Sequence, residues 1–576
     1  MENRIGIGIQ DFSKLREKNR FYIDKTSFIK EWWESGEEVT LITRPRRFGK
    51  TLNMSMVEQF FSINYANRGD LFDGLFIWQQ EEYGSLQGTY PVISLTFANV
   101  KENNYTLTRK KICQLIVDLY VKYSYVKESN PLTNTDRNFF NRILDENYDD
   151  ADITLAIHKL SDFLCRYYGK KVIILLDEYD TPMQESYVHG FWDQLVPFVR
   201  SLFHATFKTN PFMERTLMTG ITIVGSQSMF SDFNNLKEIT TTSKEYATSF
   251  GFTEEEVFRA LDENGLGSEK KKVKEWYDGF VFGEYRDIYN PWSIINFLDS
   301  KVYQTYWANT SSNALANKLI QEGNHKMKQS MEQLLKGKSI KCGIDERIVY
   351  IDLEHNEDAI WSLLASSGYL KILNSNQLEE ENTEIALTNL EVKIMFEKMV
   401  KNWFAKEKVN YNGFIHAMLT NDLEAMNDYM KRITLQMFSY FDTGKGVLGY
   451  EPERFYHGFV LGLLVDLKER YIITSNKESG LGRYDIMLEP IDTQKDDGMI
   501  IEFKVLNPRK EKTLEETVET ALLQIEDRKY ETILIGKGIP KENIRKYGFA
   551  FEGKNVLIGS NCSAPKKSLE PLNIFN

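Results

Sequence analysis

The stretch from Thr43 to Thr51 constrains the fold of this chain most, because it joins an apolar run to a helical pattern through a short loop ending in Gly-Lys-Thr. The run Val39–Ile42 before it predicts a buried strand, and residues 52–61 after it have helical spacing. A loop of this kind and the helix N-terminus behind it direct backbone N–H groups at an anion. We therefore predict an ATP site in which Lys50 reaches the β- and γ-phosphates and the Thr51 hydroxyl binds Mg²⁺.

A second, acidic element supports this interpretation. The loop departs from the Walker A pattern, which has Gly where this chain has Arg44, so a basic turn before a surface helix is the alternative. Further on, residues 171–178 form a continuous apolar run that ends in two acids, as a strand buried on both faces does. We expect Asp177 to hold Mg²⁺ through water and Glu178 to polarise the attacking water. The alternative is a central strand whose acidic end is solvated.

The first 250 residues alternate strand and helix patterns, which predicts a mostly parallel sheet with helices on both faces. Nucleotides bind at the carboxyl ends of the strands of such sheets, where Lys50 and Asp177 both fall. Thr219 is either a sensor of the γ-phosphate or simply a residue that ends a strand. The predicted strands are Val39–Thr43, Pro91–Phe97, Val172–Asp177 and Arg215–Ile221, and the predicted nucleotide-binding residues are Arg46, Arg47, Phe48, Gly49, Lys50, Thr51, Asp177 and Thr219.

The composition is typical of a cytoplasmic protein with several domains. A chain of 576 residues exceeds one core, so two to four domains are expected. No apolar run approaches the length of a membrane span, and the N-terminus lacks the pattern of a secretory signal. The four cysteines lie far apart, which disfavours zinc and disulfide frameworks. The net charge of −12 disfavours a protein that coats nucleic acid through bulk charge but allows a local basic groove.

The last part of the chain carries a second set of chemical residues in an α-β-β-β-α-β order. The predicted elements are a helix over 452–470, strands at 471–474, 483–488 and 498–505, a helix from Leu514 to about Tyr530, and a strand at 532–535.

Asp485, Glu502 and Lys504 form the pattern of a PD-(D/E)XK nuclease. Glu502 and Lys504 lie two residues apart in one strand, so both side chains point to the same face. Two such carboxylates bind Mg²⁺, which polarises the scissile phosphate, and the lysine positions water or stabilises the developing charge. Charges inside the apolar run 499–505 need a reason, and two edge strands with charged solvent faces are the alternative.

Eight motifs follow one another in an order that resembles the bacterial AAA-ATPase-like family whose members end in a PD-(D/E)XK nuclease-like domain. The resemblance covers nearly the whole chain. It implies that Arg44 belongs to the family's usual Walker A variant and that residues 251–330 form a lid after the ATPase core. The motifs are Tyr22–Thr26, Arg44–Thr51, Leu176–Asp180, Thr219–Ile221, Phe230–Leu236, Phe250–Glu256, Trp276–Gly279 and Tyr289–Trp292.

The resemblance also adds residues to the nuclease-like site. It implies that Gln524 and, at a longer spacing, Tyr530 orient the lysine and the DNA, and that Glu453 is an extra metal ligand. His457, one helical turn after Glu453, is either a structural histidine or a phosphate or metal contact. The predicted catalytic residues are Glu178, Asp485, Glu502, Lys504 and Gln524, and the predicted metal ligands are Thr51, Asp177, Glu453, Asp485 and Glu502.

The expected fold class is α/β, with an AAA-like P-loop NTPase domain of parallel sheet and a C-terminal α/β nuclease-like domain. Between them we expect a helical lid and a region of helices in which a helix followed by a hairpin, at 358–373, suggests a winged-helix-like module. The predicted domains are 1–250 (ATPase core), 251–330 (lid), 331–447 (winged-helix-like region) and 448–576 (nuclease-like domain).

Two classes of function are compatible with these residues. The first is an ATPase whose nucleotide site controls a Mg²⁺-dependent nuclease acting on DNA, which by analogy suits defence or mobile-element biology in bacteria or archaea. The second is a nucleotide-switched regulator that holds DNA or protein without cutting; a weaker third is an ATPase whose nuclease-like domain serves oligomer contacts. A homo-oligomer is expected if a neighbour supplies an arginine finger, for which Arg215 and Arg259 are candidates.

Overall fold

The computed structural model divides the chain into two compact units. The first comprises residues 1–322 and 333–395, and the second comprises residues 323–332 and 396–576. The structure describes residues 5–224, 229–230, 233–308, 314–322, 325–348, 350, 353, 356–374, 382–405, 411–437, 460, 464, 467, 470–475, 478–479, 482–483, 485–552 and 555–561.

Helices and strands alternate over residues 1–322. The helices are α1 (Phe12–Glu17), α2 (Ser27–Ser35), α3 (Lys50–Phe61), α4 (Glu81–Gly84), α5 (Tyr105–Lys122), α6 (Asn134–Leu144), α7 (Asp150–Tyr168), α8 (Thr181–Val188), α9 (Trp192–Phe207), α10 (Glu254–Glu263), α11 (Lys270–Tyr277), α12 (Pro291–Ser300) and α13 (Ala314–Glu322). The strands are β1 (Val39–Thr43), β2 (Val92–Thr96), β3 (Val172–Asp177), β4 (Met213–Gly220), β5 (Ile223–Val224), β6 (Leu236–Ile239), β7 (Phe252–Thr253), β8 (Phe280–Phe282) and β9 (Tyr285–Tyr289).

The described residues after 322 contain further helices and strands. The helices are α14 (His325–Leu335), α15 (Glu357–Ser366), α16 (Leu390–Ala405), α17 (Tyr411–Thr420), α18 (Leu423–Met437), α19 (Leu514–Asp527) and α20 (Glu531–Gly536). The strands are β10 (Ile340–Cys342), β11 (Arg347–Ile348), β12 (Leu370–Asn374), β13 (Thr383–Leu387), β14 (Tyr471–Ser475), β15 (Glu478–Ser479), β16 (Gly482–Arg483), β17 (Ile486–Pro490), β18 (Gly498–Val505), β19 (Ile544–Glu552) and β20 (Asn555–Ser560).

Five parallel strands form the main sheet of the first unit, in the order β2-β3-β4-β1-β6. Every residue of β1 and β3 is buried, which explains why both read as continuous apolar runs. Their bounds are those predicted, and β2 and β4 differ from the predicted bounds by one or two residues at each end. The predicted parallel α/β sheet is therefore confirmed.

The strand register places the predicted site residues at the carboxyl ends of the parallel strands. Ile42 lies opposite Thr219, and Thr96 lies opposite Asp177. On one face, Ile173 and Leu175 pack in a core with Phe60 of α3. The alternate residues Ile174 and Leu176 of β3 are equally buried, so both faces of the sheet are covered.

Residues 251–308 contain a small antiparallel sheet as well as helices. The strand order is β7-β9-β8. The sequence predicts helices alone here, because these strands are short and β9 begins with the exposed residues Tyr285 and Arg286. Residues Val257, Tyr277 and Ile294 of α10–α12 form a core of their own beside this sheet.

A helix followed by an antiparallel strand pair occupies residues 357–387, as the sequence predicts. Between α15 and β12 lies Gly368, whose φ of +84° favours glycine. A Cβ at Gly368 would lie 2.8 Å from Cγ of Pro45 and 2.9 Å from the ring of Phe280, so glycine allows this turn to pack against the loop after β1. β12 pairs with β13, and β10 extends the sheet on the other side of β13.

The second unit is built on a mixed sheet in the order β14-β17-β18-β19-β20. Only β18 and β19 pair in parallel, and the connection between them contains α19 and α20, as a parallel crossover requires. Of the helix predicted over 452–470, the structure describes Val460, Leu464, Leu467 and Arg470, and the first three are buried in the core of this unit.

The predicted strand at 532–535 is wrong. These residues lie in α20, and the strand that pairs with β18 is β19, further along the chain. Leu534 packs in a cluster with Tyr530 and Ile500, and this tertiary contact outweighs the strand preference of the β-branched residues around it.

Candidate functional site

The loop between β1 and α3 is shaped by two residues with left-handed backbone conformations. Arg47 has a φ of +66° and Gly49, which caps α3, has a φ of +84°. The helix therefore starts at Lys50, directly after the loop, and a helix N-terminus in this position is suited to binding an anion.

Lys50 is almost fully buried inside this loop. Its Nζ donates to the carbonyl oxygens of Arg44 and Pro45, both at 2.9 Å. Burial lowers the pKa of Lys50, while the nearby carboxylates of Glu178 and Asp177 act in the opposite direction. The ammonium group is therefore held at the centre of the loop, next to the acidic end of β3.

Asp177 joins the loop to the end of β4. Its Oδ2 accepts a hydrogen bond of 2.7 Å from Thr51 Oγ1, and its Oδ1 accepts one from Thr219 Oγ1. Burial raises the pKa of Asp177, and the two hydroxyl groups lower it. Three residues predicted from separate parts of the sequence are thus brought together in one cluster of oxygen atoms. Hard oxygen donors of this kind fit Mg²⁺.

Glu178 follows β3 in a strained backbone conformation. Its φ is +50°, a region that non-glycine residues seldom adopt. Its N–H donates to Thr219 Oγ1 at 3.4 Å, and Thr181 Oγ1 donates to its carboxylate at 3.3 Å. Strain of this kind is concentrated at functional sites, because it fixes a side chain in an orientation that regular backbone would not give.

Arg44, which stands in place of the Walker A glycine, is part of the core. Its side chain is fully buried, donates to the carbonyl oxygens of Thr43 and Thr240 at 2.9 and 2.6 Å, and stacks on Phe282 at 4.7 Å. Burial lowers its pKa to about 10. Arg44 therefore stabilises the base of the loop.

The three residues after Pro45 point in different directions. Arg46 donates to Gln184 Oε1 at 3.3 Å and lines a small cavity. The guanidinium of Arg47 stacks on Trp292 at 4.3 Å. The Phe48 ring is buried against Phe280 and Phe282, so only the backbone of Phe48 is placed to face a nucleotide.

Three residues that were not among the predicted site residues hold the site together. Asp180 is fully buried and its Oδ2 accepts hydrogen bonds from the N–H groups of Ile221 and Thr222, at 2.9 and 3.0 Å. Asn290 Nδ2 and Trp307 Nε1 both donate to the carbonyl oxygen of Arg46, at 3.2 and 2.9 Å. They lie more than 240 residues from Arg46, so no local pattern could have indicated the contact.

The nuclease-like residues come together at the middle of the second sheet. Asp485 directly precedes β17, and the pairing of Ile486 with Ile501 places it opposite Glu502. Its Oδ2 accepts a hydrogen bond of 2.8 Å from Phe503 N. Glu502 is 2% exposed, and Lys504 Nζ lies 3.9 Å from its Oε1, so both side chains share one face as predicted. Two adjacent carboxylates beside a lysine fit a Mg²⁺ ion and a phosphate.

Two further residues, one in α19 and one after it, lie close to Glu502. Gln524 of α19 donates from Nε2 to Glu502 Oε1. Tyr530, the buried N-cap residue of α20, follows α19; burial and then the charge of Glu502 raise its pKa, and a hydrogen bond with Gln524 lowers it. Both residues implied by the resemblance therefore lie beside the carboxylate. Glu453 and His457 lie outside the described residues.

Gly548 allows α19 to pack close to β19. Gly548 pairs with Glu502 across β18 and β19. A Cβ at this position would lie 2.9 Å from the carbonyl oxygen of Val518 and 3.2 Å from Cβ of Ala521, both in α19. Because a backbone carbonyl cannot move without the helix, glycine at 548 sets the distance between Gln524 and Glu502.

A basic loop follows the lysine of this site. Arg509, Lys510 and Lys512 are exposed on the connection between β18 and α19. Glu511, in the same loop, turns inward: its Oε2 accepts hydrogen bonds from Asn507 N at 3.2 Å and from Thr517 Oγ1 at 2.9 Å. The one acid of the loop therefore braces its backbone, and the three cations face solvent.

Comparisons with known proteins identify two separate segments of the chain. Residues 6–230 match the family model described as predicted AAA-ATPase, and residues 451–561 match the model of the PD-(D/E)XK nuclease superfamily. The "Uncharacterized protein in vnfD 5'region" of Azotobacter chroococcum mcd 1 is 23% identical over 394 residues, which cover 68% of this chain and 68% of that protein. The chain thus joins an AAA-ATPase-like segment to a nuclease-like segment, as the resemblance implies.

The solved structures include the ORC2 protein of Aeropyrum pernix in its ADPNP-ADP complexes. It aligns over 69% of this chain and 97% of that chain at 12% identity. The TM-score of 0.22 is too low for this similarity to support a conclusion about the fold. Among the described residues, no helix is both long and apolar enough to cross a lipid bilayer.

Proposed function

We propose that this chain is an ATPase whose nucleotide state controls a Mg²⁺-dependent nuclease acting on DNA. The observation that carries the proposal is the junction at Asp177, where hydroxyl groups from the Walker A helix and from β4 donate to one buried carboxylate. The cluster of Asp485, Glu502 and Lys504 beside Gln524 supports the nuclease half.

In the nucleotide site, Lys50 would exchange its two carbonyl contacts for the phosphates of ATP. Thr51 and Asp177 would hold the metal ion, and Glu178, fixed by its backbone, would orient the attacking water. Thr219 would keep Asp177 in place and sense the γ-phosphate. Arg46 and Arg47, and the backbone of Phe48 and Gly49, would complete the nucleotide-binding loop.

In the nuclease site, Asp485 and Glu502 would hold the metal ion, with Glu453 as a further proposed ligand. Lys504 would stabilise charge on the phosphate, and Gln524 would orient Glu502. When bound, Mg²⁺ supplies charge neutralisation for the phosphates in the first site and an activated water in the second.

The basic loop favours a nucleic acid as the substrate of the second site. Its three exposed cations lie in the connection that begins directly after β18, the strand of Glu502 and Lys504. Contacts between such cations and the phosphate backbone supply most of the affinity of proteins for nucleic acid.

We further propose that the protein is cytoplasmic, that it acts as a homo-oligomer, and that its domains comprise residues 1–250, 251–330, 331–447 and 448–576.

The proposal is tested by a Mg²⁺-dependent cleavage assay on linear, circular and single-stranded DNA, with and without ATP. Wild type is compared with Lys50→Ala and Glu502→Ala. We expect Glu502→Ala to lose cleavage and to retain ATP hydrolysis, and Lys50→Ala to lose ATP hydrolysis and to change the cleavage rate. Cleavage that persists in Glu502→Ala would refute the proposed nuclease site.

A nucleotide-switched regulator that binds DNA or protein without cutting is the second candidate. The net charge of −12 favours it, because a protein of this charge gains little nonspecific attraction to DNA. Intact ATP hydrolysis without cleavage of any DNA form would support this second candidate over the first.

A further inference from the structure

A buried carboxylate that belongs to neither site lies close to the nucleotide loop. Glu391 is the second residue of α16 and is 1% exposed. A buried carboxylate is costly unless hydrogen bonds compensate for the lost water. The donors that face Glu391 are neutral groups, which compensate for burial less than a cation would. We therefore infer that the role of Glu391 is to fix the groups that donate to it.

Glu391 binds two elements at once. Its Oε1 accepts a hydrogen bond of 2.7 Å from Trp307 N, and Ala308 N lies 3.4 Å from the same oxygen. Its Oε2 accepts a hydrogen bond of 2.8 Å from Ser293 Oγ, in the first turn of α12. The carboxylate therefore fixes the segment around Trp307 relative to the start of α12.

Both of these elements contact the same atom of the nucleotide loop. Trp307 Nε1 donates to the carbonyl oxygen of Arg46 at 2.9 Å. Asn290, the N-cap of α12, donates to that oxygen at 3.2 Å while its own Oδ1 accepts from the N–H groups of Trp292 and Ser293. The hydrogen bonds thus form a closed ring that runs from Glu391 through both elements to Arg46.

The Arg46 carbonyl lies next in the chain to a carbonyl group that holds Lys50. The preceding carbonyl, that of Pro45, accepts a hydrogen bond from Lys50 Nζ. The following residue, Arg47, has the left-handed φ of +66° that turns the loop. A rotation of the peptide after Arg46 would disturb this turn and the carbonyl atoms that surround Lys50.

We propose that Glu391 is a positioning residue for the nucleotide loop, acting through Trp307 and through Ser293 and Asn290 of α12. The inference depends on the proposed binding of ATP at this loop. Glu391 therefore ties the nucleotide loop to the first turn of α16.

The test compares the dissociation constant for ATP of the full wild-type chain with those of four variants. The variants are Glu391→Gln, Glu391→Ala, Trp307→Phe and the double variant Glu391→Ala/Trp307→Phe. Glu255→Gln, an exposed glutamate in the first turn of α10, is the matched control. We expect Glu391→Ala to weaken ATP binding on the order of tenfold, as the loss of an outer supporting residue does in metal sites. Glu391→Gln should weaken ATP binding less, because its amide oxygen can still accept from Trp307 N.

The double variant separates positioning from general stability. If Glu391 acts through Trp307, the double variant should bind ATP no more weakly than the weaker of the two single variants, whereas unrelated effects would add. Wild-type binding with all Glu391 variants within twofold, or additive losses, would overturn the inference and leave the proposed function intact. Absence of ATP binding by the wild type would overturn the proposed function and this inference with it. If Glu391→Ala does not fold, Glu391→Gln and its double variant with Trp307→Phe decide by the same criteria.

Discussion

The hydroxyl of Thr51 lies 2.7 Å from Oδ2 of Asp177, and this contact connects the two halves of the proposed nucleotide site. We expect Thr51→Ala to lower the affinity for ATP on the order of tenfold in the presence of Mg²⁺, because the variant lacks one oxygen ligand of the metal. With the metal chelated, the affinities should be equal. Thr51→Ser keeps the hydroxyl and should behave as the wild type. Isothermal titration with and without EDTA measures this, and an equal response of Thr51→Ala to Mg²⁺ would exclude the ligand role.

Replacement of Gly548 by Ala should damage the proposed nuclease site without changing the residues proposed to react. The added Cβ would lie 2.9 Å from the carbonyl oxygen of Val518, so α19 must move away from β19. Overpacking of this kind costs about 1–3 kcal/mol of unfolding free energy. We also expect slower DNA cleavage, because Gln524 is carried by α19. Gly536→Ala is the control: a Cβ there would meet no atom within 4 Å, and the variant should keep both stability and cleavage.

The charges of the basic loop should appear in the salt dependence of DNA binding. Replacement of Arg509, Lys510 and Lys512 by Gln removes three cations, so the slope of log K against log salt should become shallower by up to about 2.7 for duplex DNA. The replacement Lys270→Gln/Lys271→Gln/Lys272→Gln removes the same charge from a helix of the first unit and serves as the control. Equal slopes for the two triple variants would show that only net charge matters.

The stability of the chain should fall as the pH rises from about 4.5 to about 7, in part through Glu391. Burial raises the pKa of Glu391 to about 7, and the hydrogen bonds from Ser293 and Trp307 only partly oppose it. In this window the folded state keeps a proton that the unfolded state has lost, so rising pH favours unfolding. Above about pH 7 this contribution is constant. Urea unfolding at pH 5 and pH 7.5 should show a smaller difference for Glu391→Gln than for wild type or Glu255→Gln.

Restoring the Walker A glycine should destabilise this protein. Arg44→Gly removes the hydrogen bonds to Thr43 and Thr240 and the contact with Phe282. The loss of a buried group that satisfies two carbonyl oxygens should cost about 2–4 kcal/mol of unfolding free energy. The measurement is urea unfolding of both proteins, and a variant as stable as wild type would show that Arg44 is dispensable for the loop.

The sequence predicts the sites best where a strand is buried on both faces. β1 and β3 read as uninterrupted apolar runs, so both their bounds and the position of Asp177 at the end of β3 follow from local pattern. Glu502 and Lys504 could be placed on one face because the two-residue period of a strand is fixed by its geometry. These predictions need no knowledge of distant residues.

The sequence fails where distant contacts decide. The run at 532–535 contains β-branched residues, but Leu534 packs into the core from α20. The edge strand β6 is only partly buried, so its pattern is weak. Trp307 and Glu391 lie in no predicted motif, and the motif Tyr289–Trp292 does not indicate which residue Asn290 contacts, since these contacts span long stretches of chain.

The pairing of Glu502 with Gly548 has a consequence for how this chain can evolve. If the second site cleaves DNA as we propose, a larger side chain at 548 would separate α19 from Glu502 while every reactive group is retained. A relative that keeps the Asp, Glu and Lys but carries a bulky residue at this position would then be expected to have lost cleavage.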